Sequence, residues 1–194
     1  MEKYIYKTII ISLLTLTIPT SLISQSSKLI DVDNSKIKWI GEELSGKNHY
    51  GSLKFKDGSL KLDNGKIISG KFIVDMSTIN VEDLQGGSKQ RLEGHLRSDD
   101  FFSVEKFSEA IFEIKSSAVV VDKDGATQTL SGNLTIKGIT HPAKMEIDNN
   151  WAAKLVFDRS KYDVRFRSGN FFQNLGDKLI YDEIVISANI AFKN

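Results

Sequence analysis

The feature that most restricts this chain's fold is an alternation of apolar and polar side chains that keeps returning along it. In KFIVDMSTI, Phe72, Val74 and Met76 fall on one side and Ile73, Asp75 and Ser77 on the other. LSGNLTIKG sets Leu130, Leu134 and Ile136 against Ser131, Asn133 and Thr135. AKMEID and EIVISANIAF repeat the pattern, the latter with Ile184, Ile186, Ile190 and Phe192 on one face. A period of two marks strands with one buried face, whereas a helix would repeat every 3.6 residues. Turn-forming triplets separate the runs: KDG at Lys56–Gly58, DNG at Asp63–Gly65, KDG at Lys123–Gly125 and DNN at Asp148–Asn150. Strands joined at such short intervals form an antiparallel meander. The exception is Asp83 to Leu96, where EDLQGGSKQRLEGHL has weak helical potential despite its paired glycines. An open sheet leaves unpaired edges, and closure removes them, so the predicted fold is all-β: an antiparallel barrel of about eight strands with one short helix.

The amino terminus stands apart from this pattern. MEKYIYK carries two lysines, and the following TIIISLLTLTIPTSLIS is an uncharged apolar run broken by Pro19. That order is the n-region and h-region of a secretory signal peptide, expected over residues 1–25 and removed by cleavage, with an uncleaved anchor as the alternative, for which the run is borderline in length. Residues 26–194 then form one domain, because the remainder holds a single proline and no Ser/Gly/Pro-rich linker. The expected location is the bacterial periplasm or exterior. With no cysteine in the chain, neither disulfides nor a lipidated N-terminal cysteine can form, and stability must come from core burial. The chain carries 26 basic and 25 acidic residues, and without Glu2, Lys3 and Lys7 it is formally neutral. Nothing in that balance points to nucleic acid or an anionic membrane surface as partner.

The stretch GHLRSDDFFSVEKFSEAIFEI, Gly94 to Ile114, holds the densest set of reactive groups. His95 with Asp99 or Asp100 could form an acid–base pair assembled in space. The same aspartates suit a turn, where a carboxylate accepts from nearby backbone N–H groups. The three histidines, His49, His95 and His141, are far apart and match no metal-ligand spacing, so no metal and no cofactor is expected. His141 precedes Pro142 in a GITHP turn, which restricts it to extended backbone. No nucleophile elbow, phosphate loop or basic-aromatic nucleic-acid patch occurs. Trp39, Phe72, Val74, Met76, Phe112, Ile114, Leu134 and Ile136 are the inward candidates, and the interior of a barrel this size either fills with side chains or holds one small ligand. Periodicity does not separate these two outcomes.

Three blocks together carry a family resemblance: GHLRSDDFFSVEKF with IFEI, then LSGNLTIKGITHPAKMEI, then FDRSKYDVRF. In this order and spacing they resemble the YceI-like family of polyisoprenoid-binding proteins, over essentially Leu29 to Phe192. WIGEELSGKNHYGSLKFKDGSL and SGNFFQNLGDKLIYDE depart from better-studied members. The resemblance implies a lipocalin-like antiparallel barrel whose apolar cavity holds a long isoprenoid or similar amphiphile, for transport or storage, with no catalysis. Ligand contacts are then expected from Trp39, Phe72, Val74, Met76, Phe101, Phe102, Phe112, Ile114, Leu134 and Ile136. Phe101, Phe102 and Phe107 would lie near the helix and strand that frame the cavity, although Phe101-Phe102 could equally seal one end of the core. Arg97, Asp99 and Arg159 are expected to fix loops through ion pairs and amide bonds. Two rival functions stay open: a hydrolase or isomerase using His95 with Asp99/Asp100, and a ligand-free, stress-linked structural protein. The expected partner is an isoprenoid or other long-chain lipid, and a homodimer is also open.

Overall fold

The computed structural model describes residues 25–122 and 125–194. Among the described residues nine strands run in chain order: β1 (Gln25–Leu29), β2 (Lys36–Glu42), β3 (Asn48–Asp63), β4 (Lys66–Val81), β5 (Glu109–Asp122), β6 (Gly125–Ile136), β7 (Ile139–Asp148), β8 (Ala152–Asp158) and β9 (Glu183–Asn189). One α-helix, α1 (Gly86–Arg97), follows β4. The sheet order is β1-β3-β2-β9-β8-β7-β6-β5-β4, and β4 also pairs with β3. That pairing closes eight strands into the barrel expected from the sequence, and β1 is an extra strand outside the ring. Of the leader expected over residues 1–25, residues 1–24 lie outside the described residues, and Gln25 begins β1.

The two 16-residue strands β3 and β4 are the longest of the barrel, each running roughly 50 Å at about 3.3 Å per residue. β3 shares its far edge between two partners. Its first half, Asn48–Leu53, pairs with β2, and its second half, Ser59–Asp63, pairs with β1. Asn64-Gly65, with φ of 48° and 78°, turns β3 into β4, and Lys137-Gly138, with φ of 50° and 72°, turns β6 into β7. Both dipeptides have the positive φ that a two-residue hairpin needs. At DNN, Asp148 Oδ1 accepts from the N–H groups of Asn150 and Ala152, each at 2.8 Å.

Several readings need correction. KDG at Lys56–Gly58 is no turn: it lies inside β3, where a register shift between Phe55 and Asp57 absorbs it as a bulge. Lys123 and Asp124 of the second KDG lie outside the described residues. GITHP turns only at Lys137-Gly138, and His141 and Pro142 sit in β7. Proline is tolerated there because β8 pairs only with Met145–Ile147, so Pro142 owes no N–H to a second neighbour. The helix starts at Gly86 rather than Asp83. The Asp83 carboxylate is occupied elsewhere, bonded to His49 Nδ1 at 2.6 Å and to the Tyr50 N–H at 3.1 Å.

Buried side chains form two clusters. The larger runs from Ile30, Leu60, Leu62, Ile67 and Leu130, which close on one another at one end of the barrel, up to Phe72, Phe112 and Leu134, and the smaller joins Trp39, Met76, Ile79 and Val81 to Leu96, Phe101, Val104 and Val164 at the helix end. Ile79 and Val81 break β4's parity with Phe72, Val74 and Met76. The pairing slips between Ser52 and Lys54 of β3, and Asp75 caps the slip through the Ser77 N–H at 2.9 Å and the Thr78 hydroxyl at 2.6 Å.

Candidate functional site

The helix end of the barrel is hollow. A cavity of about 620 Å³ runs from the mouth between α1, the β2–β3 connection and residues 163–182 down to Phe72, Phe112, Leu134 and Met145. Its wall is apolar almost throughout. Volumes of this order hold small-molecule ligands in proteins generally. The space exists because α1 lies across the barrel end instead of filling it. Ser88, Arg91, Leu92, His95 and Leu96 all face the cavity, the single stripe that a spacing of three and four residues produces on a helix.

Of the residues expected from sequence, Trp39, Phe72, Val74, Met76, Phe101, Phe102, Phe112, Leu134 and Ile136 all line this cavity. Ile114 does not. It sits in the filled end, 3% exposed, between Gly70 on β4 and Gly132 on β6. A Cβ on Gly132 would lie 2.2 Å from the Glu113 carbonyl oxygen, so strands approach there too closely to leave open space. Phe107 is also placed elsewhere: it is 36% exposed and covers the Gly138 turn, where an added Cβ would come 3.0 Å from its ring. Sequence reasoning missed Leu53 and Phe55 of β3, although their alternation was available. It also missed Phe166, Arg167 and Ile180, which lie in irregular chain with no period to read.

His95 does not meet the aspartates. Asp99 points to solvent and bonds Lys106 Nζ at 2.6 Å, which holds its carboxyl below the usual range. Asp100 is exposed. The His95 ring instead packs edge-on against Phe166 and Phe101, with centroids 4.3 and 5.5 Å away. Its Nε2 and the Trp39 Nε1 are buried without a hydrogen-bond partner among the described residues. A general base is ordinarily oriented by a polar partner, and here aromatic edges do the orienting. His141 lies far along the wall, its Nε2 2.9 Å from the Lys161 carbonyl oxygen.

The mouth is shaped by the segment after β8, and Arg159 fixes it. This side chain is fully buried. Its guanidinium donates to the carbonyls of Val164, Ile180 and Tyr181 at 3.2 Å each and lies 3.2 Å from Asp182 Oδ1. Burial lowers its pKa, while Asp182 and Asp158 work to raise it. The other Asp182 oxygen accepts from Ser168 at 2.8 Å and Asn170 at 3.0 Å. Tyr162, packed on Phe157 and His141, has its phenol pushed up to about 12, first by burial and then by Asp158. Arg97 serves the helix in a similar way, donating to the Ile79 carbonyl. These charges hold chain in place, as the sequence suggested for Arg97, Asp99 and Arg159.

Comparison with known proteins agrees with this architecture. The YceI-like domain matches residues 29–192. A UPF0312 protein of Enterobacter sp. (strain 638) is 31% identical over 144 residues, 71% of each chain. Protein YceI of Salmonella arizonae is 30% identical over the same length and share. Among solved structures, Burkholderia cenocepacia BcnA superposes with a TM-score of 0.62 at 19% identity, covering 83% of this chain and 98% of its own. A polyisoprenoid binding domain from Saccharophagus degradans, implicated in plant cell wall breakdown, gives a TM-score of 0.54 at 10% identity, covering 88% and 98%. At such identities the structural matches speak for the shared barrel alone.

Proposed function

The chain belongs to the YceI-like family, and from that premise we propose that it binds a long-chain lipid, a polyisoprenoid or similar amphiphile, in the barrel cavity. The observation that carries this reading is the continuous apolar cavity of about 620 Å³ in a barrel whose other end is filled. Each methylene-sized group moved from water into such a space contributes about 0.8 kcal/mol, so a long tail needs few polar anchors. Aromatic rings and the Met76 and Met145 thioethers in the wall adapt to a bending chain, which suits tolerance of several tails over sharp selection.

The function is binding, for transport or storage in the periplasm or exterior, rather than catalysis. The separation of His95 from Asp99 and Asp100 supports that side. The test is organic extraction of protein purified from the cells that make it, followed by mass spectrometry. A long-chain lipid near one per protein is expected. Ala110, which packs against both core clusters and lines the cavity, supplies the control. Ala110→Trp fills the space and should lose the lipid while keeping its fold by circular dichroism. A protein that yields no lipid from its own cells and takes up no fluorescent long-chain probe overturns the reading.

A further inference from the structure

The mouth carries a feature that a lipid cavity does not itself require. Phe171 and Phe172 are 42% and 49% exposed at the tip of the segment that frames it. They are held there: both N–H groups donate to the Ser168 carbonyl, at 3.1 and 3.0 Å, and Ser168 is itself fully buried. Below the tip, Arg159 grips the segment's two legs through Val164, Ile180 and Tyr181. Leu44, 46% exposed, joins the same rim, because its N–H donates to the Leu179 carbonyl at 2.8 Å. Paired aromatics held in water on a braced loop mark a contact surface more than a packing accident.

Two observations identify what touches it. The rim is continuous with the cavity, since Phe166, Arg167 and Ile180 of the same segment line the interior. Guanidinium groups also ride on the aromatic rings: Arg165 is 5.0 Å from the Phe171 centroid and Arg167 is 5.1 Å from that of Phe166. Exposed aromatic rings with a cation beside them, at the lip of an apolar cavity, match a bilayer's boundary, where rings enter the acyl edge and cations stay among phosphates. We infer that this rim docks on a lipid bilayer, with Phe171 and Phe172 inserted, so that lipid passes between membrane and cavity without crossing water.

Local charge is close to balanced, because Arg165 pairs with Asp163 and Lys178 follows Asp177. Insertion of apolar surface therefore drives docking, and added salt should weaken it little.

The inference rests on the lipid-binding reading, so the experiment separates the two. Purified protein is floated with vesicles of phosphatidylcholine containing a minority of phosphatidylglycerol. Uptake of one fluorescent long-chain lipid is then followed from those vesicles and, separately, from a soluble cyclodextrin complex. The double variant Phe171→Ser/Phe172→Ser should lose flotation and take lipid from vesicles roughly tenfold more slowly, with unchanged affinity for lipid delivered from cyclodextrin. Val120→Ser, at an equally exposed valine of the filled end (52%), should match the wild type in every assay. Equal flotation and equal vesicle uptake by wild type and double variant overturn docking. So does a wild-type dimer that the double variant abolishes, since the rim would then be a self-interface. Failure of the wild type to bind lipid from either source overturns the lipid-binding reading instead, while flotation still decides the docking.

Discussion

The two ends of the barrel are made from the same residue types and behave differently. At one end Leu60, Leu62, Ile67 and Leu130 are 0–3% exposed and close on one another, tied off by β1 and by hairpins. At the other, Trp39, Phe72, Met76 and Leu134 are similarly shielded, at 9% exposure or less, yet they surround open space. Composition does not make the difference. The filled end has Gly70 and Gly132 where strands crowd together, and the hollow end is spanned by a helix and a strapped loop. What a barrel holds is thus decided by how its ends are covered, as much as by its wall.

The strongest way to break that comparison is to release the strap. Arg159→Met removes a buried cation and leaves Asp182 with no opposing charge, an imbalance worth about 3–5 kcal/mol in buried pairs. Equilibrium denaturation should show a loss of that size, and a near-neutral result would mean that the mouth does not depend on this brace. Next comes a matched pair of truncations. Leu60→Ala opens a void in packed core and should cost about 2–5 kcal/mol, whereas Leu134→Ala only widens existing space and should fall at or below the low end of that range. Equal costs would erase the distinction between filled and hollow ends.

Gly51→Ala probes the hollow end from its wall, opposite Trp39 and Val81. Its Cβ would lie 1.9 Å from the Asn80 carbonyl oxygen and 2.9 Å from the Trp39 ring, and overpacking of this kind costs about 1–3 kcal/mol. A lowered melting temperature with displaced Trp39 emission is the expected result. The smallest effect concerns Asp83. Burial works to raise its carboxyl, but the bonds from His49 and the Tyr50 N–H overcome this and hold it below the ordinary carboxylate range. Its contribution is then complete above that range and disappears as pH falls through its lowered pKa. Asp83→Asn should lose about 1 kcal/mol at neutral pH and flatten the acid limb of the stability profile, which stays unchanged if the pair is idle.

Much of this was legible in the sequence because strands advertise themselves locally. Alternation gave the wall, and Asn64-Gly65 marked a hairpin through its φ demand. The same local logic misplaced Lys56–Gly58, since a bulge and a turn use the same residues and only the partner strand decides between them. Ile114 had the right parity but the wrong depth, because depth along a barrel is a property of register with glycines on other strands. Phe166 and Ile180 left no trace at all: irregular chain has no period, and their place at the mouth depends on a buried arginine that bonds the Ile180 carbonyl from far along the chain. The acid–base appearance of His95, Asp99 and Asp100 came from adjacency in sequence, which the helix exit at Ser98 converts into opposite directions.

The placement of the two tryptophans has a practical consequence. Trp39 is in the cavity wall, whereas Trp151 lies beyond β7 against Phe192, ring centroids 4.7 Å apart, with Lys28 Nζ 5.7 Å from its own ring. The molecule therefore carries one intrinsic fluorophore at each pole. Emission from the first should respond to a ligand entering the lumen and emission from the second to unfolding, so variants that keep one tryptophan at a time would distinguish an emptied barrel from a broken one.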